Sequence, residues 1–373
     1  MEKYLGESIP KLGFGLMRLP RNGEEIDVVQ VSRMVDLFLE RGFRYFDTSW
    51  GYPGSEEAAK TALFDRYPRE SFVFATKCPV WAAKDREEAR EMLNVSLERT
   101  GAGYIDFYLL HNLGDDRIRF FDEYDMWDLV SRKKREGVLK HIGFSFHDKA
   151  EVLDRVLTEH PEMEFVQLQI NYADWEDRNV EARKCWETAR KHGKSVVIME
   201  PVKGGTLTHL PPEAAQVLRE ADPDLSPAQW AIRFAASLEG VVTVLSGMSD
   251  IAQMEENTSF MRAFELLNEK QQEALAKVRG ILQSMTTVPC TGCRYCVPGC
   301  PKQIPIPTVF EGMNLYGIYG DKEGAAHGYG FQVNRRGAGR ASECVECGAC
   351  EAVCPQHIEI RERLREAAEI FDA

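Results

Sequence analysis

Short apolar runs alternating with amphipathic stretches, repeated at nearly even spacing from residue 12 to residue 245, constrain this chain more than any other feature. From residue 28 the first stretch carries Val31, Met34, Val35, Leu37 and Phe38 at helical spacing; Gly42 ends it, and 43–46 reads as a short strand. The step recurs: helix 55–64 with strand 72–76, 85–99 with 105–110, 121–135 with 139–144, 149–159 with 165–170, 179–191 with 195–199, and helices within 212–236 with strand 241–245. A first strand near 12–17 completes the set. The strands are apolar and rich in β-branched and aromatic residues, as parallel strands covered on both faces are. Eight strand–helix units over this length predict an α/β fold of the (β/α)8 TIM-barrel type. A doubly wound open sheet is the alternative. The segment 3–19, broken by Gly6, Pro10, Gly13 and Gly15, reads as short strands lying over the barrel bottom. Gly13-Phe14-Gly15 lacks the third glycine and the following helix of a dinucleotide fingerprint.

Barrel chemistry sits at the C-terminal ends of the strands. Asp47 follows the second strand, Lys77 ends the third and His111 follows the fourth, spaced 30 and 34 residues apart, with Tyr52 in the loop beyond Asp47. Taken singly, Asp47 before Thr48 and Ser49 is a turn cap, His111 a structural histidine and Tyr52 a loop aromatic. Lys77 is different, because a lysine ending a buried strand must find a partner or lose its charge. Together, on adjacent strands at one rim, the four read as a catalytic set.

The chain has 373 residues, 44% of them hydrophobic and 28% charged, with a net charge of -13. That acidic balance argues against nucleic acid or an anionic membrane as the main partner, since phosphates must be met by Lys and Arg. No apolar run approaches the ~18 residues of a membrane span, and the start lacks a basic region followed by an apolar core, so a cytoplasmic location is expected. Disulfide scaffolds are small and secreted, which leaves metal binding for the grouped cysteines among the ten. Eight of them form Cys290-x2-Cys293-x2-Cys296-x3-Cys300-Pro301 and Cys344-x2-Cys347-x2-Cys350-x3-Cys354-Pro355. This spacing is the signature of two 4Fe-4S clusters in which the fourth cysteine of each run serves the other cluster. One cluster is then expected on Cys290, Cys293, Cys296 and Cys354, the other on Cys344, Cys347, Cys350 and Cys300. Zinc is the alternative. Cys78 and Cys185 read as ordinary buried thiols.

A helix over 269–285 leads out of the barrel, which puts the domain boundary between 1–285 and 286–373. Helices are expected over 304–317 and 358–371, and the 43 residues between Cys300 and Cys344 exceed a compact ferredoxin's needs. The second domain is therefore a small, mostly helical ferredoxin-like module. Arg335, Arg336 and Arg340 lie in that insert, either as a solvated loop or as a dock for an acidic electron carrier.

Over roughly residues 8–275 the chain resembles the aldo-keto reductases, on Asp47-Thr48-Ser49 with Tyr52, Ala75-Thr76-Lys77, Leu109-Leu110-His111-Asn112 and Gly143-Phe144-Ser145. With its cysteine-rich tail, Glu200-Pro201, Gly204-Gly205 and Cys347-Gly348-Ala349-Cys350-Glu351, it is similar to the branch that carries a C-terminal 4Fe-4S ferredoxin-type domain. The resemblance implies hydride transfer between NAD(P)H and a small carbonyl or alcohol. It makes Tyr52 the proton donor, tuned by Lys77 and Asp47, and has His111 orient the carbonyl. A phenol of pKa about 10 is a poor acid at neutral pH, and a nearby ammonium lowers it. By the same resemblance Ser145 and Gln169 hold the nicotinamide carboxamide. The loop through Gly204 and Gly205 approaches the pyrophosphate, and Ser246, Gly247, Gln253, Glu256 and Asn257 hold the adenosine end. Gly247 and Gln253 stand where NADPH-dependent members place Lys and Arg, so NADH is the expected cofactor. The tyrosine that stacks on nicotinamide is replaced within Met199-Glu200-Pro201, and the asparagine after Ser145 is Phe146. Trp50, Trp81, Phe120 and Tyr172 are candidates to line the substrate pocket. The clusters imply single-electron exchange with a ferredoxin or flavodoxin. The alternatives are a carbonyl reductase with structural clusters and a nucleotide-binding electron-transfer or redox-sensing protein.

Overall fold

The computed structural model describes residues 5–6, 8–290 and 292–373. Its strands are β1 (Leu12–Gly15), a hairpin of β2 (Arg21–Asn22) and β3 (Glu25–Ile26), then β4 (Tyr45–Asp47), β5 (Val73–Cys78), β6 (Ile105–Leu113), β7 (Leu139–Phe146), β8 (Phe165–Gln169), β9 (Ser195–Met199) and β10 (Val241–Ser246). All but the hairpin close into one parallel barrel in the order β1-β10-β9-β8-β7-β6-β5-β4. The open-sheet alternative is thereby excluded.

Helices form where the periodicity places them. Val28–Glu40 is capped by Asp27, whose carboxylate accepts the Gln30 N–H at 3.0 Å, and it buries Val31, Met34, Val35 and Phe38. Three boundaries differ from the sequence reading. The 121–135 helix is two pieces, Ile118–Glu123 and Met126–Arg135, because Asp125 turns left-handed at φ +49°. The 55–64 helix widens to a π-turn at Lys60–Phe64. Residues 16–18 form a 3-10 turn instead of continuing the strand, and residues 8–10 form no strand; Lys3 and Tyr4 of the expected lid lie outside the described residues. Ile9, with Leu5 against it, joins the barrel-interior cluster of Tyr45, Val73, Phe107, Phe165 and Val242. The glycines of Gly13-Phe14-Gly15 have a packing role: a Cβ on Gly13 would sit 2.8 Å from Leu245 and 3.2 Å from Tyr45.

Two compact units divide the chain, one of residues 1–204 and 228–267, the other of residues 205–227 and 268–373. In the second, Pro212–Ala221 packs with Glu269–Ser284, whose Asn268–Gln271 capping box is joined by a 3.0 Å bond from Gln271 to Asp222. Helix Glu269–Ser284 therefore groups with the cysteine-rich tail. The tail's own helices, Ile306–Tyr319, Lys322–Arg336 and Ile360–Phe371, enclose Val309, Phe310, Met313, Tyr329, Ile360 and Leu364. Gly312 lets the first two cross closely, since a Cβ there would stand 2.8 Å from the Ala325 carbonyl. Arg335 and Arg336 are the last turn of a helix, not a loop, where cations offset the exposed carbonyls.

Candidate active site and cluster cavity

Register explains why residues so far apart in sequence meet. Asp47 is level with Ala75 on β5, and Lys77 stands two residues further; Lys77 is level with Leu109 on β6, and His111 stands two further. Leu109 pairs with Gly143, Ser145 stands two further, and Ser145 pairs with Gln167. Each step of two preserves the side chain's facing while the ends climb around the barrel, as strand stagger requires. Gly143 is needed on this path, because a Cβ there would lie 2.3 Å from the Phe165 carbonyl.

Lys77 is 1% exposed; its Nζ contacts Asp47 Oδ1 and donates to the Thr48 carbonyl at 2.7 Å. Asp47 accepts a second bond on Oδ2 from Gln167 Nε2 at 3.1 Å. The Lys77 ammonium lies 5.2 Å from the centre of the Tyr52 ring, and that ring stands edge-on to His111 at 5.9 Å and 83°. Burial works against the Lys77 charge, but Asp47 and then Tyr52 outweigh it and hold its pKa above the ordinary lysine range. Burial pushes the Asp47 carboxyl up, against Lys77 and Gln167. Burial also raises Tyr52, with Lys77 opposing, so the resting phenol is protonated; the ammonium's pull is the smaller effect, contrary to the sequence-based expectation. His111 is driven well below the ordinary histidine range by burial and then by the Lys77 charge, so its imidazole is neutral.

Ser49 Oγ lies 3.0 Å from His111 Nδ1 and 3.3 Å from the Lys77 carbonyl. Asn112, left-handed at φ +58°, donates its N–H to Ser145 Oγ at 2.7 Å and accepts from Arg117 on Oδ1 at 2.6 Å. Arg117 lies 5.2 Å from the Trp81 ring centre, and Trp81 Nε1 donates to the His111 carbonyl at 3.3 Å. Trp81 therefore stands at the rim. Tyr172 does not: it is fully buried against Phe234, which corrects its place among the pocket-lining candidates. Trp50 lies under Arg99, and Phe120 beside Tyr124.

Gln169 donates to Asp174 Oδ2 at 3.0 Å, beside Asn171 at 2.8 Å; Lys203 Nζ bonds the other oxygen. Phe146, His147 and Gln169 line a recess of about 140 Å³ with Asp148, Leu168 and Cys185. His147 is open to it, with Arg117 and Lys77 as the nearby charges. Gly204 and Gly205 take φ +67° and +99°, a conformation that glycine adopts without strain. Asn257 donates to Ser246 Oγ at 3.1 Å, both buried. Gln253 is tied to Asp250 at 3.0 Å and to the Ser249 N–H at 2.9 Å, while Gly247, Gln253 and Glu256 face solvent.

Sequence reasoning missed Gln167, Ser49 and Asp174. Gln167 had a signal, since it and Gln169 sit two apart on a buried strand and must face the same way. Nothing local distinguishes Ser49.

In the second unit, Cys300 joins Cys344, Cys347 and Cys350 around one small cavity, with Pro301, Ile304, Ile306 and Leu364. The fourth cysteine of the first run thus lies with three of the second. Cys290 is raised by burial and then by the charges of Cys293 and Cys354; burial takes Cys296 up to about 11, with Cys290 and Cys293 adding to it. The Gly292 N–H points at Cys290 Sγ, 3.5 Å away. Among the described residues no three ligating side chains converge as on a single ion.

Residues 11–279 match the aldo/keto reductase family and residues 289–359 the 4Fe-4S dicluster domain. An aldo-keto reductase of Mycobacterium sp. (strain MCS) is 30% identical over 138 residues, 37% of this chain and 45% of that protein. The uncharacterized oxidoreductase YqkF of Bacillus subtilis is 26% identical over 312 residues, 72% of this chain and 94% of that one. The first of these matches spans about half of its relative's length. Among solved structures, the holo form of a Bacillus halodurans aldo-keto reductase aligns with TM-score 0.60 at 24% identity, over 73% of this chain and 93% of that one. A Klebsiella pneumoniae aldo/keto reductase in complex with NADP and acetate aligns with TM-score 0.59 at 19% identity, over 73% and 92%. The closed parallel barrel, the rim where four ionisable side chains meet and the cysteine-lined tail thus carry one conclusion: the chain belongs to the aldo/keto reductase family, in the branch with a C-terminal 4Fe-4S domain.

Proposed function

We propose that this protein is an NAD(P)H-dependent oxidoreductase that interconverts a small carbonyl and its alcohol in the part spanning 1–285, and holds two 4Fe-4S clusters in the part spanning 286–373. The observation that carries the reading is the buried Lys77–Asp47 pair with Tyr52 and His111 beside it. Bound nicotinamide would supply the hydride. Tyr52, protonated at rest, hands its proton to the carbonyl oxygen, and Lys77 stabilises the phenolate left behind. Asp47 and the Thr48 carbonyl fix Lys77, and Gln167 fixes Asp47. Neutral His111 positions the substrate oxygen. Ser49 Oγ, 3.0 Å from Nδ1, holds the imidazole ring in place.

Ser145 and Gln169 would meet the carboxamide, Gly204 and Gly205 the pyrophosphate, and Ser246, Gly247, Gln253, Glu256 and Asn257 the adenosine end. NADH is preferred, because Gln253 is bonded to the Asp250 carboxylate and no cation stands at 247 or 253 to meet a 2′-phosphate. Tighter binding of NADPH in a titration reverses that assignment. Cys300, Cys344, Cys347 and Cys350 would hold one cluster, and Cys290, Cys293, Cys296 and Cys354 the other; such clusters supply one-electron steps. Arg335 and Arg336 at an exposed helix end support docking of an acidic ferredoxin or flavodoxin. No helix of the described residues is long and apolar enough to cross a membrane, which is consistent with a cytoplasmic site of action.

The test is anaerobic turnover of the reconstituted protein with NADH and a panel of aldehydes, followed by EPR. Absence of turnover across the panel removes the reductase reading in favour of a sensor or carrier. Clusters that NADH leaves oxidised, with turnover intact, make them structural.

A further inference from the structure

The tail repeats more than its cysteines. Cys300 is followed by Pro301, Ile304 and Ile306, and Cys354 by Pro355, Ile358 and Ile360 at the same offsets. Gln303 and His357 both turn left-handed at φ +52°, and three residues after each a helix starts, Ile306–Tyr319 or Ile360–Phe371. Each helix brings one side chain back to the segment that enters a cysteine run. Asn314 Oδ1 accepts the N–H groups of Thr287 at 3.1 Å and Val288 at 2.8 Å, and its Nδ2 donates to the Val288 carbonyl at 2.8 Å. Val288 is fully buried, and its carbonyl also accepts the Cys290 N–H at 2.8 Å. Asp372 stands at the C-terminal end of the other helix, where the helix dipole disfavours a carboxylate. Its bonds offset that cost: Oδ2 accepts the Ser342 N–H at 2.9 Å, and Oδ1 accepts the Tyr329 hydroxyl at 2.8 Å. The Tyr329 oxygen in turn accepts the Ala341 N–H at 2.6 Å, and the Ala341 carbonyl accepts the Cys344 N–H at 3.2 Å. The Asp372 side chain is 3% exposed, so its contacts are made inside the tail.

We propose that Asn314 and Asp372 are positioning residues that make the two clusters load as a unit, each cluster ordering the segment that builds the other's site. The inference rests on the two-cluster reading given above and goes beyond it. The connection is crossed. A cluster on Cys300, Cys344, Cys347 and Cys350 fixes Cys300, and the chain runs from there into the helix of Asn314, which grips the entry to Cys290. A cluster on Cys290, Cys293, Cys296 and Cys354 fixes Cys354, and the chain runs from there into the helix of Asp372, which grips the entry to Cys344. Thiols ordered before the metal arrives spare its binding that part of the folding cost. Such coupling is reciprocal, so either cluster favours the other by the same factor. Exchange of a fourth cysteine carries one thiol across, and the clamps extend its effect to the three thiols of the facing run.

The experiment is anaerobic reconstitution of the whole chain with ferrous iron and sulfide short of saturation, read by native mass spectrometry. Independent sites at half loading leave about half of the chains with one cluster, and a coupling of about tenfold takes that share below about a quarter. Wild type should show the lower share. Asn314→Ala and Asp372→Ala, which keep every cysteine, should raise it toward the independent value. Alkylation of the unloaded thiols then shows which site is empty. It should mark Cys290, Cys293, Cys296 and Cys354 in Asn314→Ala, and Cys300, Cys344, Cys347 and Cys350 in Asp372→Ala. Asn314→Asp keeps an acceptor for Thr287 and Val288 and should recover part of the coupling. Far-UV circular dichroism matching wild type establishes that the variants fold; should an alanine variant not fold, Asn314→Asp and Asp372→Asn decide, each with a share between wild type and the independent value. Three results overturn the proposal: independent loading in wild type, variants that keep the wild-type share, and alkylation spread evenly over both sets. Wild-type protein that takes up no cluster defeats the two-cluster reading itself, a different result from one that loads the two independently.

Discussion

Replacing Lys77 by Met keeps the volume of the side chain but leaves Asp47 as a carboxylate with Gln167 as its remaining side-chain donor. The side chains of the pair are 1% and 6% exposed, so neither charge can turn to water. Breaking such a pair from one side costs about 3–5 kcal/mol, because the survivor is a buried, uncompensated charge. Replacing Asp47 by Asn as well removes that charge, so the double variant should be more stable than Lys77→Met alone by about 1–3 kcal/mol. Urea unfolding of the anaerobic protein, followed by circular dichroism and tryptophan fluorescence, measures both differences. Acidity gives a second handle. In Lys77→Met the folded pKa of Asp47 rises further above its unfolded value of about 4, so the deficit should shrink as pH falls through the raised value and the carboxyl takes up a proton. Activity follows neither rescue, since the double variant has no ammonium beside Tyr52. A Lys77→Met protein as stable as wild type, or a double variant no better than the single, would refute the argument that this pair is a buried, mutually dependent charge pair.

Tyr52→Phe should lower kcat for carbonyl reduction by about 10²–10⁴-fold, the usual share of a positioned general acid, with NADH affinity unchanged in a titration. With burial raising Tyr52 and lowering His111, neither changes charge across about pH 6–9, so reduction should be level there and fall as the phenol loses its proton on the alkaline side. Alcohol oxidation should instead rise toward that limit, and a step in the reductive profile near pH 6.5 would return His111 to the ordinary range. Cys300→Ser should perturb the EPR signal of the cluster held by Cys344, Cys347 and Cys350, although Cys300 sits in the other run; disturbance of the Cys290 cluster alone would contradict the shared cavity.

The barrel was legible because its signal is local and repeated: a parallel strand buried on both faces must be apolar along its length, and each crossover helix must be amphipathic. The same repeat placed Asp47, Lys77 and His111 at strand ends, since one residue per strand–helix unit lands at one rim. The cysteine runs were legible for a similar reason, because cluster geometry fixes the spacing of three thiols within a single turn of chain. Helix breaks were not. Asp125 turns left-handed inside a stretch whose periodicity continues through it, and Arg335 and Arg336 end a helix where composition alone suggested a loop.

Sequence by itself determined the architecture, the four ionisable groups at the rim and the eight thiols of the tail. Tertiary structure alone decided what holds them: Gln167 on Asp47 from 120 residues away, Ser49 on His111, and Cys300 among the thiols of the second run. It also decided that burial outweighs the Lys77 charge at the Tyr52 phenol. The physical reason is that strand periodicity fixes which way a side chain faces, whereas its partners and its distance from water depend on register and closure, which exist once the chain has folded.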